Sequence, residues 1–388
     1  MKNLFKKQTL FSVYLMGFLI AFHTALPTYI NSSFLNTFIP ENIVGVIYMI
    51  ASAFALFCFL VMPFILREFG NYKTAIFLIT LDMVVLLGLA ILKSPALLVV
   101  SFIVNLVLAS LMYFSTDIFL EGLSKNSDTG IVRGIYLTAV NLAWAGSPLI
   151  SALILRGEYS KIYLASFFFL LPALLILISN LKRFEDSNYK ATKIWETAKV
   201  VWNHKNLFNI FMANFLLFFF YSWMTIYTPL YLHDHIGFSW SEIGIIFSIM
   251  LLPFIFVQLP LGRLADKYFG EKEILSVGFI VIAISTGLIS FIVDKNMALW
   301  ATILFITRIG AAAIEIMCDT YFFKKVEGLN ANVISFYRMC SPFAYILGPL
   351  VATLVFSFYV FDLKYLFLIL GLVMFTGLRF SLSIKDTK

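Results

Sequence analysis

Apolar runs long enough to cross a bilayer recur along the whole of this chain. They fall at roughly 9–30, 43–66, 74–92, 96–120, 133–154, 161–181, 207–231, 240–261, 274–294, 297–322, 333–356 and 363–383. Each is near the ~20 residues a helix needs to span hydrocarbon. No water is available there, so every backbone polar group must be satisfied within a helix or a closed barrel. The runs are continuous rather than alternating with period two, so the spans are helices. Composition agrees: 61% of the 388 residues are hydrophobic and 13% are charged. A soluble chain is about half apolar and about a quarter charged. The expected class is an all-α membrane protein of twelve transmembrane helices.

An even number of spans puts both termini on one side, and the loops say which. With the termini inside, twenty Lys and Arg lie in inside segments and five in outside loops, while Arg308, Arg338 and Arg379 lie within spans. Basic residues collect on the cytoplasmic side, so both termini are expected in the cytoplasm and the chain in a bacterial-style inner membrane. The start, MKNLFKKQTLF, is expected to lead into a retained first span, because no small-x-small cleavage site follows. The net charge of +7 is spread over short loops. It reads as a topology signal, with no nucleic-acid partner. Residues 182–206 form the longest polar stretch and set Trp195, Val200 and Trp202 among Lys193, Glu196 and Lys199. That pattern suggests an amphipathic helix on the membrane surface. It links an N-terminal unit, 1–181, to a C-terminal unit, 207–388.

The two units resemble each other at an offset near 200. Pro27-Thr28-Tyr29 matches Pro229-Leu230-Tyr231, and Phe69-Gly70 matches Phe269-Gly270. Tyr136, Ala143, Trp144, Pro148 and Leu149 match Tyr337, Ala344, Tyr345, Pro349 and Leu350. Parallel six-span repeats around a midplane cavity are an architecture for alternating access.

Between spans eight and nine the chain reads Gly262-Arg-Leu-Ala-Asp266-Lys267-Tyr-Phe-Gly270-Glu-Lys272. This resembles the signature loop of the major facilitator superfamily: Gly, three residues, Asp, a base, one residue, Gly, then bases. One extra residue precedes Gly270, and Glu271 takes a usual basic place. The first copy, Pro63 to Lys73, is degraded, with Leu66 in place of the Asp. The resemblance implies two six-helix pseudo-symmetric bundles, with spans one, four, seven and ten around the cavity. It also implies a state-dependent charge latch. Asp266 would meet the start of span five, where Arg133 sits, through the helix dipole. Lys267 and Lys272 would meet acids at the end of span ten. The bland alternative is that these bases are only topology signals.

Ionisable residues inside spans are costly and mark candidate sites. On span ten, Glu315 lies roughly −20° and Asp319 roughly +20° around the helix from Arg308, on one stripe along roughly 16 Å. Arg308 is a candidate for an anionic group and Glu315 for a coupling proton; a structural Arg–Glu pair is the alternative. Asp319 is nearer the latch. Asp117 and Glu121 share a face of span four and are expected near Arg67 and Lys73 as latch acids. Asp82 of span three and His23 of span one are each a possible proton carrier or a hydrogen-bonded structural group. Arg338 should meet a carboxylate near the cytoplasmic entry. Thr24, Asn214, Tyr221 and Trp223 carry polar handles and are candidate substrate contacts. The family's drug–proton antiporters carry Arg-x-x-x-Gly in span four, where this chain has no Arg. Gly146-Ser-Pro148 and Gly348-Pro349 resemble a fragment of the exporters' Gly-Pro kink, though such a pair also simply kinks a helix.

No Walker loop, HExxH, GxSxG or paired-cysteine site is present, and the three cysteines offer no metal spacing. No cofactor and no enzymatic activity are expected. The leading reading is a monomeric secondary transporter exporting a small amphipathic compound against protons. Uptake of an organic anion and lipid flipping are alternatives, and a non-transporting receptor or scaffold is the reading from a different class.

Overall fold

A computed structural model describes residues 2–123, 129–155, 158–186, 194–325, 331–357 and 362–385. The side chains of residues 2–7, 41–42, 129–131, 194, 259, 263, 266–267, 323, 325, 331–332 and 356–357 lie outside that description. The described backbone is helical and contains no strand. Eleven helices are long and apolar enough to cross a membrane. One of them, Glu41–Ile91, is twice the length a crossing needs, and it contains one non-helical residue, Gly70, at φ 75°, ψ 164°. It is therefore two spans, 41–69 and 71–91, and the crossings number twelve.

Span one is Lys2–Thr28, span four Pro95–Leu123, span five Thr129–Leu155 and span six Tyr159–Asn180. Span seven, Lys205–Leu230, ends in a π turn, Tyr231–His235. Span eight starts at Trp240, where Ser239 and Glu242 close a capping box, and breaks at Val257, four residues past Pro253. It resumes as Gln258–Leu264 and ends in a second π turn, Ala265–Phe269. Spans nine and ten are Glu271–Ile289 and Met297–Lys325. Span eleven comprises Ala331–Arg338 and Cys340–Ser357, and span twelve Lys364–Phe375 and Gly377–Ser381.

The repeat is visible in the backbone. Gly270, between spans eight and nine, sits at φ 85°, ψ 173°, nearly the conformation of Gly70. Only glycine adopts that region readily. Both halves therefore turn between their second and third spans on a glycine of one shape. Buried apolar side chains fall into two clusters, one drawn mainly from residues 13–181 and the other mainly from 210–384. Between them, span five packs on span eight and span two on span eleven, pairings that the repeat interchanges.

Small residues set how closely these helices approach. A Cβ at Gly244 would lie 2.7 Å from Ala152 Cβ, and one at Gly45 would lie 3.3 Å from Pro349 Cβ. With no hydrophobic drive between helices in lipid, such close backbone approach is what favours association. Outward, Phe54, Phe57, Phe77 and Phe168 are exposed and suit a lipid-facing surface. The linker helix is Ile194–Asn203, with Trp195 and Trp202 exposed and Val201 buried.

Candidate functional site

The two halves enclose a cavity of about 350 Å³. Span one contributes Thr24, Thr28 and Tyr29; span four Tyr113; span five Asn141 and Trp144. From the other half come Tyr221, Phe254, Arg308, Glu315 and Tyr345. The lining is aromatic with a few polar groups, as small-molecule sites commonly are.

Arg308 is the charged group most deeply set in this wall. It is 2% exposed, and its Nε and Nη1 have no hydrogen-bond partner among the described residues. Its guanidinium lies 4.9 Å from the Phe220 ring centroid and 5.7 Å from that of Tyr221. The aromatic faces hold the charge by cation–π attraction and leave two donors unsatisfied. Glu315, one face along span ten, is not its partner. Glu315 Oε2 accepts from Gln258 Nε2 at 2.9 Å, and Gln258 Oε1 accepts from Asn141 Nδ2 at 2.8 Å. That chain of amides ties span five of one half to spans eight and ten of the other. Sequence reading missed it, although Asn141 and Gln258 each stand out as a lone amide in an apolar run.

Below the cavity, on the side of the termini, Asp117 is met from two directions. Arg133 Nη1 donates to Oδ1 at 2.9 Å, and Arg338 Nε donates to Oδ2 at 2.7 Å, with Arg338 Nη2 3.2 Å from Oδ1. The first pair lies within one half, and the second crosses between halves. Glu121 stands 3.9 Å from Arg133 Nη2, and Asp319 Oδ1 accepts from Tyr337 at 2.9 Å. Ser335 Oγ donates to the Phe59 carbonyl at 2.7 Å, a second crossing contact on this side. Asp117 and Glu121 were expected beside Arg67 and Lys73. Instead Arg67 is exposed and makes no ion pair among the described residues, because span four turns its acids inward toward spans five and eleven.

At the signature-like loop, the side chains of Asp266 and Lys267 lie outside the described residues. A Cβ at Gly262 would be 4.0 Å from Ile316 Cγ1, so that glycine faces span ten. Beside Lys272, which was expected to meet an acid at the end of span ten, a pair of the opposite sense is also present: Lys324 of span ten donates to Glu271 at 3.0 Å. At the degraded first loop, Asp186 of the linker accepts from Asn71 N–H at 2.8 Å. A carboxylate thus stands at the N-terminus of span three, where the dipole favours it, although Leu66 has removed the loop's own acid.

Two candidate contacts are corrected. Trp223 does not line the cavity; its Nε1 donates to the Gly348 carbonyl at 2.7 Å, deep between spans seven and eleven. Asn214 is also buried away from the cavity, and its Nδ2 has no hydrogen-bond partner among the described residues. Thr24 and Tyr221 do reach the cavity. His23 and Asp82 do not, but the fold brings them together: His23 Nε2 is 2.7 Å from Asp82 Oδ2, and both side chains are fully enclosed.

A twelve-helix bundle in two related halves, closed around a central cavity and tied by polar contacts across it, is the form of a membrane carrier. The model of the Major Facilitator Superfamily matches residues 9–327 and 228–386, and the chain belongs to that family. It is an integral membrane transporter and not an enzyme. Its fold is similar to that in the crystal structure of the human organic anion transporter MFSD10 (TETRAN), with a TM-score of 0.73 over 97% of this chain and 99% of that one, at 13% identity. An uncharacterized transporter of Bacillus subtilis (strain 168), YybO, is 30% identical over 144 residues, 37% of this chain. The match spans 32% of that relative's length.

Proposed function

We propose that the chain is a secondary transporter carrying a small amphipathic organic anion by alternating access. The single observation that carries this is Arg308: a buried guanidinium on the cavity wall with two donors left over. A carboxylate, sulfonate or phosphate would accept from either of these donors, and charge-assisted bonds of that kind are the strong ones. The aromatic lining suits the apolar body of such a solute. The solved relative named an organic anion transporter has this fold, which supports the reading without assigning the substrate.

In this reading residues 1–181 rock against 207–388 about the linker 182–206, as a monomer in a cytoplasmic membrane with both termini inside. The Asp117–Arg338 pair is the latch on that side; a static receptor or scaffold has no use for an ion pair between two mobile halves. Protons are the coupling ion, with Glu315, His23 and Asp82 as carriers to be distinguished. The direction of net movement follows the gradients, and export is the working assignment.

The test is binding and flux with purified protein in liposomes holding a pH dye, against a panel of aromatic carboxylates, aromatic amines and sugars. Carboxylates should bind and move protons. Replacing Arg308 with Gln should weaken them by roughly ten- to a hundredfold, since hydrogen bonds to a charged group contribute about 1.5–3 kcal/mol. Equal affinity in Arg308→Gln, or a preference for the amines, overturns the assignment.

A further inference from the structure

Away from the cavity surface, spans one, three and four meet around a histidine and an aspartate. His23 Nδ1 lies 2.9 Å from the Ile20 carbonyl oxygen and 3.1 Å from Thr24 Oγ1. Thr24 Oγ1 itself donates to that same carbonyl at 2.9 Å. With the threonine's one proton turned to that carbonyl, Nδ1 carries a hydrogen; turned the other way, the hydroxyl donates to a bare Nδ1. The other ring nitrogen, Nε2, is 2.7 Å from Asp82 Oδ2, an ion-pair approach rather than an aligned hydrogen bond. At that distance two bare acceptors repel, which favours a proton between them. Asp82 Oδ1 accepts from Asn105 Nδ2 at 2.8 Å, which orients the carboxyl from span four.

In the first arrangement the pair holds one proton more than a neutral imidazole and a carboxylate would, and in the second it does not. Loaded, it is net neutral. Unloaded, it would leave a net negative charge enclosed in the membrane, which is costly. No other charge offsets it among the described residues of the packed spans. On span five Arg133 is held by Asp117, and Tyr136 carries no formal charge; on span six Lys161 is held by Glu158, and Tyr163 bonds Asn31. Asp117 and Glu121, farther along span four, face Arg133.

We propose that His23 and Asp82 form the proton-binding site of this transporter, connected to the cavity through Thr24, which lines it. To unload, Nδ1 passes its proton to Thr24 Oγ1, whose own proton passes to cavity water. The hydroxyl gains one proton and loses one. Nε2 keeps its proton on Asp82, and the Thr24 hydroxyl then donates to the bare Nδ1. The proposal rests on the transport reading above, whose carrier it names: the load is held in the wall of one bundle, one residue behind the cavity lining, rather than on Glu315.

Two measurements test it. The first needs no transport: infrared difference spectra of the purified protein between acid and alkaline pH, with ring-labelled histidine. Wild type should show an imidazolium or protonated-carboxyl signal that Asp82→Asn and His23→Gln both remove and Glu315→Gln keeps. If both pair variants retain the signal, or if wild type lacks it, the site is overturned. The second uses proteoliposomes and an aromatic carboxylate. Asp82→Asn should keep anion exchange but lose proton-driven accumulation at least tenfold, and Thr24→Val should slow proton movement while leaving the infrared signal intact. Accumulation preserved in Asp82→Asn refutes the proposal. Failure of wild type to bind any anion instead refutes the organic-anion reading, and the infrared result then stands alone as the judge of the proton site. Should Asp82→Asn not fold, His23→Gln is read in its place.

Discussion

Asp117→Asn isolates the one ion pair that, among the described residues, joins the two halves on the side of the termini. Arg338 grips both carboxylate oxygens, at 2.7 and 3.2 Å, and Asp117 is 1% exposed. Arg133 belongs to the same half as Asp117, so its contact survives when the halves part and does not enter the difference between states. The asparagine keeps one accepting oxygen and loses the charge. A hydrogen bond to a charged group contributes about 1.5–3 kcal/mol net, and Arg338 is partly exposed and regains water on opening. A shift of about 2 kcal/mol toward the state open on this side is therefore expected, roughly thirtyfold in the equilibrium. Ser335, buried and bonded to Phe59 across the halves, is the reporter. In a background lacking the three native cysteines, Ser335→Cys should label with maleimide many times faster once Asp117→Asn is added. Lys161→Ala, which breaks an exposed pair within one half, is the control and should leave the rate unchanged. A labelling rate within twofold of the parent in Asp117→Asn would refute the latch, and slower labelling would reverse its sign.

Two further substitutions probe backbone and packing. Gly310→Ala places a Cβ 2.7 Å from both Gly278 O and Ile282 N; backbone cannot step aside as a side chain would, so spans nine and ten must separate. A loss of about 1–3 kcal/mol follows, read as a lower thermal midpoint in detergent; an unchanged midpoint would mean the two helices are less close than described. Gly270→Ala forces a side chain into φ 85° at a cost of about 1–3 kcal/mol, and the same change at Gly70 should cost more, because its Cβ would also collide with the Asp186 carboxylate. Equal thermal midpoints for the two variants would show that Asp186 is not seated there.

Much of this architecture is legible in the linear chain. Run length alone yields helices, their number and the even topology, because hydrocarbon permits no other way to satisfy the backbone. The match of Phe69-Gly70 with Phe269-Gly270 anticipates two turns of one conformation, since only glycine fits there. The stripe of Arg308 and Glu315 follows from helical spacing, and both residues do face the cavity.

What periodicity cannot tell is what a helix face meets. In a soluble protein the polar face points to water and the apolar face inward. In a bilayer the lipid is as apolar as the core, so hydropathy does not separate them. Trp223 and Tyr221 stand two residues apart on span seven, and only packing sends one into the contact with Gly348 and the other into the cavity. Asp117 and Arg338 are 221 positions apart, and no spacing relates them. His23 and Asp82 read singly as two ambiguous groups; the way spans one and three pack makes them one pair with a shared proton. The helices and their repeat are local consequences of composition and solvent, but the partners of each buried charge depend on which faces the bundle brings together, and that is decided by side-chain packing across the whole fold.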